Sequence, residues 1–173
     1  MPALNPYESV LRRLNKTKVN YVLIGVSGIN YYVNDPGDLF STQDCDVLIK
    51  PEPKNLLLAL KALESDGFKL ETNREPIGPV DLWLAKRMVE QAATINARKE
   101  GLRIDIVCSA GKIPYKDWFK TKRNFHIGKM RIPVGGLTQL LRAKENSDRE
   151  KDRIFLKLYK VKLKDLLGRE RKL

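Results

Sequence analysis

VNYVLIG, residues 19–25, is an apolar, β-branched run that stops at glycine. Continuous apolarity of that kind predicts a strand buried on both faces. Ser27-Gly28 then opens a short predicted helix, which closes before the turn residues Asn34-Asp35-Pro36-Gly37. A second strand is predicted for Asp44 to Ile49 within TQDCDVLI, residues 42–49, closed by Pro51 and Pro53.

Outward from this pair the signals alternate. Asn5 before Pro6 marks the start of a helix through about Asn15. Leu56, Leu57, Leu60 and Leu63 recur at helical spacing over residues 55–65, and Asp66-Gly67 ends that helix. Residues 68–70 suggest a brief strand, residues 80–92 lean helical, and residues 71–79 carry no clear pattern. Residues 94–99 and 102–107 predict a hairpin around Glu100-Gly101, and residues 123–134 a second around Gly128-Lys129. Pro114 to Phe119 reads as one aromatic-rich helical turn between the hairpins. From Gly136 the pattern is helical throughout, over residues 137–145, 149–160 and 161–167. The expected fold is therefore α/β (α+β), a mixed β-sheet flanked by helices. Residues 1–135 would form its core, and residues 136–173 a helical segment packed on the same domain.

Composition narrows the function classes. The 173 residues carry 33 Lys+Arg against 21 Asp+Glu, a formal net charge of +12. That excess favours a polyanionic partner, nucleic acid or nucleotide before a membrane surface. No run approaches the ~18 apolar residues of a membrane span, and MPALNPYESV lacks the shape of a signal peptide. Cys45 and Cys108 form no framework or metal motif, so a reducing, cytoplasmic setting is expected. A single histidine, His126, removes Ser-His-Asp chemistry and His-based metal sites, leaving oxygen ligands for any metal.

Asp44 and Asp46 are two apart on a predicted strand, so they share a face, while Cys45, Val47 and Ile49 continue the apolar one. Two carboxylates within ~7 Å raise each other's pKa unless a cation lies between them. Asp105 interrupts a second apolar strand, LRIDIV, with Ile104 and Ile106 turned away. If that strand lies beside Asp44–Asp46, three carboxylates converge, a ligand set suited to Mg²⁺ (or Mn²⁺) held jointly with a triphosphate. Asp81 joins them only if residues 80–84 form a strand. At YVLIGVSG, residues 21–28, a strand ending in glycine presents backbone N–H groups to an anion, with Ser27 either donating to the anion or capping the helix.

Together these features resemble the nucleotidyltransferase superfamily typified by DNA polymerase beta, and most of all its small prokaryotic members of the abortive-infection toxin type. Gly25 and Ser27 match the family's glycine turn, Asp44 and Asp46 its Asp-x-Asp, Asp105 its third acid, and Thr42 the small hydroxyl residue preceding the pair. IPVGGLTQLLRAKENSDREKDRIFLKLYK, residues 132–160, resembles the closing section, with Lys144, Arg149, Lys151 and Asp152 at matching positions. Lys144 also falls on the inward face set by Leu137, Leu140 and Leu141.

The resemblance implies transfer of a nucleoside monophosphate from an NTP to an acceptor hydroxyl, with Mg²⁺ or Mn²⁺ held by Asp44, Asp46 and Asp105. Gly25, Ser27, Thr42, Lys144 and Lys151 would bind the nucleotide. Arg149 and Asp152 would stand behind them, Asp152 orienting Lys151 or forming a solvated helix pair. RNA, including a tRNA-like acceptor, is the favoured substrate, with protein or a small molecule as alternatives, and an antitoxin is an expected partner type. The competing expectation is a non-catalytic nucleic-acid-binding protein. Residues 142–173 hold twelve Lys/Arg against six Asp/Glu, and Tyr115, Trp118 and Phe119 lie among Lys116, Lys120, Lys122 and Arg123.

Overall fold

A computed structural model describes residues 5–173. Strand β1 (Tyr21–Ile24) is buried at every residue, as its unbroken apolar run requires. It pairs antiparallel with β2 (Cys45–Ile49) on one side and parallel with β8 (Met130–Val134) on the other.

Beyond β2 the sheet continues with β6 (Leu102–Val107), β5 (Thr94–Lys99), β3 (Lys69–Thr72) and β4 (Glu75–Pro76). Beyond β8 it ends at β7 (Arg123–Ile127). The order is β4-β3-β5-β6-β2-β1-β8-β7, a mixed sheet with parallel pairs at β1·β8 and β2·β6.

Among the described residues eight α-helices flank this sheet. They are α1 (Glu8–Lys16), α2 (Gly25–Ile29), α3 (Pro53–Ser65), α4 (Leu82–Glu90), α5 (Tyr115–Thr121), α6 (Leu137–Glu145), α7 (Glu150–Leu158) and α8 (Lys160–Glu170). Helix α3 follows from its spacing, with Leu56, Ala59, Leu60 and Leu63 buried in a row and Pro53 in its first turn. Buried Asn55 pins it to the sheet, bonding Asn20 N and O at 2.8 and 2.9 Å and Lys50 O at 3.0 Å.

The last three helices join the same core. Leu137, Leu140, Leu141, Leu163 and Leu166 are buried with the strand residues, and Arg123 of β7 is ion-paired to Glu170 of α8. Gly28 of α2 packs closely on β1, where a Cβ would lie 3.1 Å from Leu23 O, and it meets Leu140 of α6 at ordinary contact distance, 3.4 Å to Cδ2.

The structure departs from the sequence expectations in a few places. Strand β2 starts at Cys45, which leaves Asp44 just before it. Helix α2 starts at Gly25 rather than at Ser27-Gly28, because Gly25 itself, at φ +68°, turns the chain out of β1. The short strand β4, within the unassigned residues 71–79, comes from a tight turn at Asn73-Arg74, both at positive φ. Trp118 is fully buried, which removes it from any stacking surface, while Phe119 stays half-exposed under Lys122.

Candidate active site

Glycine 25 is fixed by two constraints at once. Its φ of +68° lies in the left-handed region, and a Cβ there would stand 2.1 Å from Asp46 Oδ2. The Asp46 carboxylate therefore rests against the backbone at the exit of β1. Ser27 does not cap α2, since Ile24 occupies the N-cap position. Its hydroxyl donates to Ile24 O at 3.0 Å and accepts from Asp46 N at 3.3 Å, tying the end of β1 to the start of β2.

Strand register builds the acidic cluster. In the parallel β2·β6 pair Asp46 lies opposite Asp105, and in the antiparallel β5·β6 pair Asp105 lies opposite Asn96. Asn96 Nδ2 donates to Asp105 Oδ1 at 2.7 Å. The same alternation that puts these polar groups on one face puts Cys45, Val47, Ile104 and Ile106 in the core.

Two residues earlier in each chain segment, Arg103 of β6 lies beside Asp44, just ahead of β2, with Arg103 Nε 3.1 Å from Asp44 Oδ1. Burial pushes the Asp46 carboxyl up to about 6, reinforced by the charges of Asp105 and Asp44 and opposed by Lys144 and Lys151.

All three acids supply hard oxygen ligands, and the Asp46 carboxyl is raised first by burial and then by the neighbouring charges of Asp105 and Asp44. In kind, this donor set fits Mg²⁺ or Mn²⁺. Asp44 is turned to Arg103, however, and among the described residues no three His, Cys, Asp or Glu side chains are grouped to hold a metal ion.

Facing the acids is a second cluster on α6 and α7. Lys144 is inward, with a side chain only 11% exposed, and Nζ lies 3.0 Å from Asp152 Oδ1. Arg149 reaches the other oxygen, with Nε at 3.1 Å and Nη2 at 3.0 Å. Asp152 itself is 3% exposed at its side chain. The expected pairing of Asp152 with Lys151, or a solvated helix pair, is thus corrected. The first turn of α7 points residue 152 inward and residue 151 outward, so Lys151 is exposed and lines the cleft by itself. Burial alone would raise the Asp152 carboxyl, but hydrogen bonds from Ser147 and Lys144 and the charges of Lys144 and Arg149 outweigh it and hold it below the usual carboxylate range.

The two clusters face each other across a cleft of about 710 Å³. Gly25, Thr42, Asp44, Asp46, Asp105, Lys144, Arg149, Lys151 and Asp152 all line it, and Ser27 lies behind Gly25. Thr42 holds the approach to Asp44, its hydroxyl donating to Asp44 O at 3.2 Å. The structure adds a wall that the sequence did not reveal, the loop after β6. Gly111 packs so tightly on α6 that a Cβ would come 2.5 Å from Ala143 Cα, and Gly111 O accepts from Asn146 Nδ2 at 2.8 Å. Ser109 and Lys112 of that loop also line the cleft.

Asn96 and Arg103 were missed as well, although the hairpin turn at Glu100-Gly101 already implies that residue 96 opposes residue 105. The remaining singled-out residues lie elsewhere. Asp81 caps α4 by accepting from Leu84 N at 2.8 Å, Asp35 accepts from Gly37 N at 2.8 Å, and His126 is exposed on edge strand β7. Cys45 and Cys108 are buried, and burial raises both thiols. Among the described residues no helix is long and apolar enough to cross a membrane. No protein-family model matches this chain, and no curated protein matches it significantly.

Proposed function

We propose that this protein is a metal-dependent nucleotidyltransferase of the DNA polymerase beta-like class, acting in the cytoplasm. It would move a nucleoside monophosphate from an NTP to an acceptor hydroxyl, with RNA the favoured acceptor. The observation that carries this reading is the register pairing of Asp46 with Asp105, placed against the Gly25 turn and facing Lys144 and Lys151 across one cleft.

In the reaction a bond forms between the acceptor oxygen and the α-phosphorus as the α–β bridging P–O bond breaks. Pyrophosphate leaves with that electron pair, and the acceptor hydroxyl would give up its proton to the Asp105 carboxylate, which lines the cleft. Asp44, Asp46 and Asp105 would hold Mg²⁺ or Mn²⁺, which when bound polarises the triphosphate and acidifies a hydroxyl. The chain's own groups do the positioning. Asn96 holds Asp105 through Oδ1, Ser27 and Gly25 fix Asp46, and Lys151 offers an exposed ammonium to the departing pyrophosphate. Lys144 is set at the cleft wall by Asp152, and an antitoxin-like partner would be the regulator that the resemblance implies.

The test is incubation with each α-labelled NTP, Mg²⁺ and total cellular RNA. Transfer of label to a discrete RNA class is expected from the wild type and not from Asp46→Ala, and full activity in that variant would overturn the mechanism. The competing reading, a nucleic-acid-binding protein without catalysis, draws on the exposed basic residues of α7 and α8, such as Lys157, Lys160 and Lys164. It predicts RNA bound and no label transferred.

A further inference from the structure

The acidic row contains a cation of its own. Arg103 Nε stands 3.1 Å from Asp44 Oδ1, and that oxygen is shut off from solvent yet accepts no aligned hydrogen bond. The guanidinium sits over it as a charge rather than as an aligned donor. Backbone contacts hold the two partners side by side. Tyr7 Oη accepts from Arg103 N at 3.2 Å and donates to Gln43 O at 3.3 Å, bridging β6 to the loop that carries Asp44.

The guanidinium itself has little else to hold it. Arg103 is 43% exposed at its side chain, and its cross-strand neighbour is another cation, Arg98, which is paired with Glu71 at 3.0 Å.

We infer that Arg103 is a built-in competitor for the metal ligand Asp44. In the free protein the guanidinium takes the place of a divalent cation at this carboxylate, and binding of the cation must displace it. This rests on the proposed nucleotidyltransferase reading and deepens it. Arg103 is then a positioning residue whose contact sets how readily the free protein loads its metal. The register explains why it is there, because the alignment that faces Asp46 with Asp105 also brings residue 103 beside residue 44.

The test is Mn²⁺ affinity of the free full-length chain, read by calorimetry or by electron paramagnetic resonance at pH 7.5 and fixed ionic strength. Arg103→Gln is expected to tighten Mn²⁺ about fivefold, the order set by a half-exposed ion pair. Arg98→Gln removes an equal charge from the opposing strand without touching Asp44, and is expected to change affinity less than twofold. Unchanged or weaker binding in Arg103→Gln would overturn the inference, as would equal tightening in both variants, which marks bulk charge alone. Those results leave the nucleotidyltransferase reading standing, whereas no Mn²⁺ binding by any of the three proteins overturns both. Should Arg103→Gln not fold, Arg103→Lys reads the same contact. It lacks the guanidinium fork and should tighten Mn²⁺ about twofold, with no change overturning the competition.

Discussion

Two aspartates line the same cleft, and their carboxyls are shifted in opposite directions. Asp46 sits among carboxylates, with its carboxyl pushed up to about 6. The Asp152 side chain is 3% exposed, and Lys144 and Arg149 hold both its oxygens, so its carboxyl lies below the ordinary range. Burial raises both carboxyls, but only Asp152 has cations bonded directly to it to reverse the effect. Asp152 belongs to a completed ion-pair triad that fastens α7 to α6. Asp46 belongs to an incomplete cluster, whose negative charge is a standing cost to the fold.

The first way to break this comparison is to remove the acid with the least compensation. Asp46→Asn preserves shape, and on the proposed reading it should lower NTP-dependent labelling by at least about a thousandfold, the scale of a lost charge-stabilising group. Asp152→Asn attacks the completed triad and leaves Lys144 as a buried cation with half its partner gone. Breaking a buried pair costs about 3 kcal/mol, which for a chain of this length lowers Tm by roughly 9 °C in a thermal scan.

The third change has the opposite sign. The folded value for Asp46, about 6, lies above its ordinary 3.8, so the folded state retains the extra proton between those values. Wild-type stability should fall as pH rises from about 4 to 6, by an amount on the order of 2 kcal/mol. Asp46→Asn should be flat across that window and melt several degrees higher than wild type at pH 8. Asp152 behaves in the reverse way. Its depressed carboxyl contributes stability above the ordinary value and loses it as pH falls further. The smallest effect belongs to Arg149→Ala. Its side chain is 67% exposed, so the loss in chemical denaturation should stay below about 1 kcal/mol.

What could be read from the sequence divides along physical lines. Hydrophobic periodicity is a local signal, and it was enough for VNYVLIG, for LRIDIV and for the leucines of α3, since burial of those residues is the reason the elements form. It also turned Lys144 inward, because Leu137, Leu140 and Leu141 define that face without reference to anything distant.

Partner identity is not local. The neighbours of Asp152 depend on how α7 docks against α6, so Lys144 and Arg149 could not be told from Lys151 by spacing alone. Ser27 shows the same limit. A serine after a glycine-ended strand reads equally well as a cap or an anion donor, and only the approach of Asp46 N fixed its actual role. Arg103 and Asn96 lay between these cases. Both follow from hairpin and parallel registers that the turn at Glu100-Gly101 and the two acids already imply, but an arginine near the start of a strand carries no signal of its own until the opposing residue is known.

The contrast between Asp46 and Asp152 can be measured in one titration. Carbon-detected NMR of the aspartate carboxyls follows both groups in the intact protein from pH 3 to 8, without Mg²⁺ and then with saturating Mg²⁺. The expected midpoint is near 6 for Asp46 and below 3.8 for Asp152. Mg²⁺ should pull Asp46 down by more than one unit while leaving Asp152 in place. An Asp46 midpoint near 4, or one that Mg²⁺ does not move, would contradict an acidic cluster built to receive a cation.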